Sequence, residues 1–517
     1  MENANESNRH SRLLKLALLA TGLSGIVAEY ILATLATYFL GDSVLQWTMV
    51  LSVMLFSMGL GSRLSKYVHG NLLKKFIYTE FALSVLTSFS AVAVYVLAAY
   101  TIYEGFFIYL LSTAIGILIG LEIPLVTRLN SQFEELHVNI SEVMEKDYYG
   151  SLIGGVFFAF IGLPYLGITY TPFVLGAINF LVALALFIKV GAHIEQKGRR
   201  VLSVLAVGIL VILTSGVFLV EPIITYGEQA RYKDKIVYQE QTRYQKIVVT
   251  KWKNHHWLFI NGNQQLATID EHMYHEPLCH PAMQLAAGHK RVLIMGGGDG
   301  CAVREVLKYN DVESVKLIDL DPAMTRLGLE HPVFVGLNDS ALHRKQVTII
   351  NEDGFNWLED NDETFDVVII DLPDPKTVDL GRLYSLEFYG MIIRRMQPGG
   401  IVITQATSPY YSTLAFNCIE KTMRSAGLNT LPLHNQVMTL GEWGWVMGSP
   451  QLSRKEMKSR LTNDFDESIP TQWFNRDAAE MTASFGKPMV DTTGIETNTL
   501  LNPVLYRYYL QGNWDLY

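Results

Sequence analysis

The chain has 517 residues, of which only 18% are charged, and its 41 Lys and Arg against 50 Asp and Glu leave a formal net charge of −9. That balance, and the lack of a basic run interleaved with aromatics in the more polar half, argue against nucleic acid as a partner. Three cysteines, Cys279, Cys301 and Cys418, make no disulfide framework.

Charge is scarce over the first 220 positions and plentiful afterwards, so the chain reads as two different proteins fused. Seven apolar stretches, centred on 13–40, 44–62, 76–99, 103–126, 148–169, 171–189 and 201–220, approach the roughly 20 residues that a bilayer core demands of a helix. Short loops such as Gly41-Asp42-Ser43 and Pro164-Tyr165-Leu166-Gly167 separate them. The first is too long in its apolar part for a cleaved signal peptide, and similar stretches follow it. Gly and Pro are tolerated in membrane helices, and the small residues of Met58-Gly59-Leu60-Gly61 permit close packing.

Orientation follows Lys and Arg in the loops. The segment with Arg63, Lys66, Lys74 and Lys75 and the one with Lys197, Arg199 and Arg200 are expected to be cytoplasmic, as is an amino terminus bearing Arg9, Arg12 and Lys15. Seven crossings from there deliver the second half outside. The expectation is nevertheless a cytosolic second half with one crossing miscounted, either the Pro-bearing segment ending at Ile123-Pro124 or the Gly-rich 148–169 stretch. Glu29 and Glu122 lie in apolar spans, where an ionisable group is costly and hints at function, polyamine passage being one use. The competing expectation is hydrogen bonding to a neighbouring helix, with Glu122 pairing with Arg128.

The remaining boundaries fall at 221–270 for a linker and small antiparallel β domain, 271–450 for a catalytic domain and 451–517 for a helical tail. Runs at 236–240, 245–250 and 257–260, rich in β-branched and aromatic residues, read as strands, and Asn261-Gly262 as a hairpin turn. Apolar runs at 291–295, 313–318, 346–350, 365–370 and 400–405 alternate with helical stretches at 301–309, 322–330, 384–396 and 411–426, which predicts a parallel doubly wound sheet. The fold class is therefore a multi-pass α-helical membrane domain followed by an α/β Rossmann-like domain of the class I methyltransferase type, led by a small β-sheet.

Chemistry gathers at strand ends. Gly296-Gly-Gly-Asp299-Gly300 closes the strand at 292–295 and lets a nucleoside lie against backbone. Asp319 and Asp321 end the next strand, placed to take ribose hydroxyls, and Glu352-Asp353-Gly354 ends the third, suited to adenine. The strand at 367–370 runs into Asp371-Leu-Pro-Asp374-Pro375, whose carboxylates can grip a cationic amine. Alone, the glycine turn is a weak signal; three acids at consecutive strand ends make it strong.

These residues, together with Tyr244-Gln245, Asp270-Glu-His-Met-Tyr274-His275-Glu276 and the Arg304-Glu305-Val306 that continues the glycine turn, resemble the spermidine synthase family from about 236 to 449. The layout is similar to its bacterial membrane-fused branch of polyamine aminopropyltransferases. The resemblance implies transfer of an aminopropyl group from decarboxylated S-adenosylmethionine, a co-substrate rather than a prosthetic group, to a diamine such as putrescine. Products are spermidine and methylthioadenosine. It further implies that Gln245 and Asp319 hold ribose, Asp353 and Gly354 hold adenine, and His275 and Asp299 face the donor's terminal ammonium. Tyr274, Asp371 and Asp374 would hold the amine, with Asp371 catalytic and no metal in the site. Partners are these two small molecules and the bilayer; a homo-oligomer is compatible with the chain.

Physics supports these roles independently. An alkylamine resembles lysine, with a pKa near 10.4, and supplying its neutral form costs roughly 4 to 5 kcal/mol, so a carboxylate that orients nitrogen and takes its proton has a clear task. Asp299 would reject intact S-adenosylmethionine by like charge; its competing use is capping the helix that starts near Cys301. His275 reads equally as a packed histidine. The 376–382 loop is expected to fold over the ligands with Gly381 as hinge. Soluble relatives carry a tyrosine late in the domain where this chain has Val437-Met-Thr-Leu-Gly-Glu442-Trp443-Gly-Trp445. Glu442 and Trp443 either bind a cation there or are plain strand residues. The alternatives are an S-adenosylmethionine-dependent methyltransferase and a membrane transporter or sensor whose soluble half only binds.

Overall fold

A computed structural model describes residues 2–40, 43–101, 103–131, 135–191, 194–486 and 492–514; the expected turn at Gly41-Asp42 lies outside them, as do the side chains of 2–10 and so Arg9. The chain divides into two compact units, Met1–Lys235 and Ile236–Tyr517.

The first unit is helical: α1 (Glu2–Leu40), α2 (Ser43–Leu64), α3 (Leu72–Tyr100), α4 (Glu104–Asn130), α5 (Leu136–Phe157, prolonged as a π-helical segment to Leu166), α6 (Gly167–Val190) and α7 (Gln196–Arg231). Among the described residues, six helical runs are long and apolar enough to cross a membrane, the fifth spanning 55 residues from Leu136 to Val190. That run folds back on itself. The Thr171 hydroxyl donates to the carbonyl of Gly162 at 2.9 Å, although nine residues span ~13.5 Å in a straight helix. The reversal sits at Gly167, whose φ of +62° suits glycine. The expected stretches at 148–169 and 171–189 are thus separate arms, and α7 runs eleven residues beyond the expected end at 220, to Arg231.

Glycines let the arms approach closely. A Cβ on Gly61 would stand 2.1 Å from the Ile117 carbonyl oxygen, and one on Gly120 2.0 Å from that of Met58. Glu29 and Glu122 are buried, and so is Glu80, which the apolar pattern around it had concealed. Arg128 donates to the Ser65 carbonyl at 3.0 Å; the expected pairing with Glu122 is not what holds it.

The second unit opens with an antiparallel sheet, β1 (Lys235–Gln241), β2 (Lys246–Trp252), β3 (His255–Ile260) and β4 (Asn263–Ala267), in order β1-β2-β3-β4. Asn261 and Gly262, at φ +50° and +78°, make the β3–β4 turn. A second sheet holds β5 (Arg291–Gly296), β6 (Ser314–Ile318), β7 (Val347–Ile350), β8 (Phe365–Asp371), β9 (Met396–Gln405), β10 (Asn429–Val437) and β11 (Gly441–Ser449), in order β10-β11-β9-β8-β5-β6-β7. From β7 to β9 neighbours are parallel, while β11 and β10 add an antiparallel edge. The chain winds outward from β5 in both directions, so the switch point lies between β5 and β8, where ligands enter doubly wound sheets.

Because helices cover both faces, the central strands β5 and β8 are apolar along most of their length. Val292 and Ile294 face a core that includes Leu278, Met283, Val303 and Trp445. Leu293 and Met295 face one with Trp357, Phe388, Phe416 and Leu505. The tail joins both cores through helices Arg454–Asn463, Arg476–Thr482 and Leu505–Leu510. Glu276, fully buried, clamps it by accepting the backbone N–H groups of Gln472, Trp473 and Phe474 at 2.6 to 2.8 Å.

Candidate active site

The glycine turn is shaped by its contacts. Gly296 pairs with Asp371 across β5 and β8, and a Cβ on it would stand 2.0 Å from the Asp371 carbonyl oxygen. Gly296, Gly297 and Gly300 take φ of +79°, +69° and +85°, a region only glycine enters cheaply. The two strand ends therefore touch, and the turn's N–H groups are held from the next strand. Gly298 donates to Asp319 Oδ2 at 3.1 Å, and Asp321 N–H donates to Asp319 Oδ1 at 3.0 Å. Burial raises the Asp319 carboxyl to about 6 against the pull of those two backbone donors.

Helix α8 (His272–Leu285) brings Tyr274 and His275 to this point. The Tyr274 hydroxyl donates to Asp371 Oδ1 at 2.7 Å. His275 Nε2 lies 3.9 Å from both Asp371 Oδ2 and Asp299 Oδ1, so the histidine sits between two carboxylates while its Nδ1 meets Glu271 Oε2 at 2.8 Å. Burial lowers the His275 pKa, but Glu271, Asp299 and Asp371 outweigh it and lift the imidazole to about 9. The charged form donates from both nitrogens. Asp371 is raised to about 6, first by burial, with His275 and the Tyr274 hydroxyl opposing and Asp299 adding to it. Asp299 serves both readings, because its Oδ1 also accepts the Cys301 N–H at 2.8 Å at the start of α9 (Cys301–Val306).

Glu271 and Arg304 anchor this cluster, a part that sequence reasoning left without a role although both lie inside the quoted motifs. Arg304 clasps the Glu271 carboxylate at 2.8 and 3.0 Å. Burial penalises the Glu271 charge, yet His275 and Arg304 bring its carboxyl down to about 2. His275 thus has carboxylates near both of its ring nitrogens.

The other expected residues are distributed around it. Gln245 lies on the β1–β2 turn, which Thr242 ties to the end of β6 through a 2.8 Å hydrogen bond to Asp321 Oδ2. Asp353 caps the helix Gly354–Asp360 through the N–H groups of Phe355 and Asn356, and its other oxygen pairs with Arg382. Asp374 accepts the Tyr509 hydroxyl at 2.9 Å and lies 3.5 Å from the Gln405 amide; burial raises its pKa. Tyr509 comes from the last helix, 135 residues away in sequence, and no local pattern announces it. Gln405 and Tyr384 hold the Leu372 carbonyl at 2.8 and 3.2 Å, fixing the segment between the two aspartates.

Three expectations are refined here. Gly381 is helical at φ −59°, and its carbonyl accepts from the buried Asn498 amide at 2.8 Å. Glu442 pairs with His434, and Trp443 is 9% exposed on β11 with its ring 6.5 Å from Tyr274; both are strand residues. A tyrosine does stand beside Asp374, supplied by the tail rather than by 437–445.

A family model described as the spermine/spermidine synthase domain matches residues 271–459. The chain is 39% identical over 499 residues to a polyamine aminopropyltransferase of Leptospira interrogans, covering 96% of this chain and 97% of the relative. It is 40% identical over 500 residues to polyamine aminopropyltransferase 2 of Aquifex aeolicus, covering 96% and 98%. With the corresponding protein of Oceanobacillus iheyensis it shares 36% over 518 residues, 98% of this chain and 99% of the relative.

Proposed function

The chain belongs to the spermine/spermidine synthase family of polyamine aminopropyltransferases, and from that premise we propose how its residues carry the reaction. The activity is transfer of the aminopropyl group of decarboxylated S-adenosylmethionine to putrescine or a similar diamine, giving spermidine and methylthioadenosine. The nucleoside sulfonium is a co-substrate; no prosthetic group is involved.

The observation that carries the mechanism is the 2.7 Å Tyr274–Asp371 hydrogen bond with His275 facing the same carboxylate. Asp371 is the base. At about 6 its carboxyl is ionised at neutral pH yet takes a proton more readily than an ordinary aspartate. The amine nitrogen forms a bond to the carbon beside sulfur, the C–S pair leaves on sulfur as a neutral thioether, and one N–H proton passes to Asp371. Tyr274 orients the carboxylate, and Asp374 lies on the amine side. Asp299 faces the donor's ammonium and repels the carboxylate of intact S-adenosylmethionine. Asp319 and Gln245 take the ribose, Asp353 and Gly354 the adenine. Asp371→Asn tests this: it should abolish methylthioadenosine formation while nucleoside binding persists, and retained turnover would remove Asp371 from the chemistry.

With the catalytic unit placed in the cytosol, where its donor is made, and seven arms preceding it, one arm must fail to cross or the amino terminus must lie outside; the first unit is a multi-pass domain of the cell (inner) membrane. Its length and hydropathy support that reading, as do Phe56, Phe160, Ile188, Val204 and Phe218 presented outward on its helices. A homo-oligomer is compatible with the arrangement.

A further inference from the structure

Asp374, one of the two acids on the amine side, already faces a cation from its own chain. Lys376 follows it by two residues, and its backbone N–H donates to the Asp374 carbonyl at 2.7 Å, a turn that brings the side chain back. The ammonium donates to Asn263 Oδ1 of β4 at 2.5 Å and stands 5.6 Å from the centroid of the Tyr509 ring. That same Tyr509 donates to Asp374 Oδ2; burial lowers the Lys376 pKa, and the Asp374 charge opposes that fall. An amide oxygen and a ring face thus converge on one ammonium, with the Asp374 carboxylate acting on it from beyond ion-pair distance, the groups that would recognise the end of an alkyl diamine. A lysine side chain is itself a butylammonium.

We propose that Lys376 is a specificity-determining residue: its ammonium fills the subsite that Asp374, Tyr509 and Asn263 offer to the non-reacting ammonium of the acceptor, and a diamine binds by displacing it. The inference rests on the aminopropyl-transfer reading above. Displacement is cheap in contacts, because among the described residues the ammonium uses one of its three N–H donors in a hydrogen bond. It also lies on the 376–382 connection rather than on a sheet strand. The second charge of the acceptor is then worth less than the site could extract from it, since each diamine exchanges one ammonium for another. A monoamine, which reaches only Asp371, does not compete with Lys376.

The test compares 1,4-diaminobutane with butylamine, which has the same chain and no second charge, on the full-length protein, with Lys376→Met and Lys376→Arg. Under saturating decarboxylated S-adenosylmethionine, Lys376→Met should lower the diamine KM about tenfold, equivalent to ~1.4 kcal/mol. The butylamine KM should stay within about twofold, and Lys376→Arg, which keeps the charge, should show no such gain for the diamine. A diamine KM unchanged or raised in Lys376→Met, or equal shifts for both amines, would overturn the proposal. Calorimetric titration of the two amines gives the same contrast without turnover. An absence of methylthioadenosine from the unmodified protein would therefore count against the transferase reading alone.

Discussion

Replacing Tyr274 by Phe removes one hydroxyl and leaves the ring in place, edge-on to Trp445 at 5.5 Å between centroids, so the fold is retained. What is lost is the 2.7 Å hydrogen bond to Asp371. A hydrogen bond to a charged group is worth ~1.5–3 kcal/mol, and at 1.36 kcal/mol per pH unit its loss raises the carboxyl by roughly one to two units. Starting from about 6, the acid limb of kcat/KM should move to roughly pH 7–8. The ionised fraction at pH 7 then falls from ~90% to between ~50% and ~10%, a two- to ninefold loss of kcat/KM that disappears near pH 9. Methylthioadenosine formation, followed chromatographically from pH 5 to 9.5 with saturating donor, measures it. The acceptor's own titration cancels in the ratio of variant to unmodified enzyme. A ratio that is constant across pH would refute the reasoning, because Tyr274 would then position the amine without tuning the base.

His275 offers a stability counterpart. Its folded pKa of about 9 lies above the unfolded value near 6.5, so its contribution is fully present below pH 6.5 and is lost as pH rises through 9. His275→Gln should flatten the fall in thermal stability between pH 7 and 9.5, and an unchanged slope would show the imidazole to be neutral. Gly297→Ala puts a methyl 3.1 Å from Asp371 Oδ2 at a φ of +69°. A strain of ~1–2 kcal/mol should weaken donor binding about tenfold in a calorimetric titration, and unaltered affinity would count against close nucleoside approach. Glu276→Gln leaves three backbone donors of the tail sharing one neutral oxygen; a loss of ~2–3 kcal/mol in denaturant unfolding is expected, and an unchanged midpoint would mean the tail holds by packing. Protease added to sealed inside-out vesicles should digest the catalytic unit; full protection there would place it on the side opposite the basic loops and require a donor outside the cytosol.

Much of this molecule was legible in order along the chain. Apolar runs of about span length marked the arms of the first unit, down to the pair that reverses at Gly167. The alternation of β-branched strands and helices marked β5 to β9, because a sheet covered on both faces must be apolar along most of its length. The strand-end residues were legible for a related reason: the carboxyl ends of parallel strands line one edge of the sheet, so Gly296, Asp319, Asp353 and Asp371 fall along that edge once the strands are assigned. Tertiary structure alone decided what those acids do to one another. That His275 stands 3.9 Å from two carboxylates and is drawn towards its charged form depends on burial beside acids, one of which, Glu271, Arg304 keeps ionised and in place. That Asp374 meets Tyr509 depends on a tail whose docking is set by one buried glutamate and two cores. Charge states and long-range partners arise from burial and from atoms brought together across more than a hundred residues, and local sequence carries neither quantity.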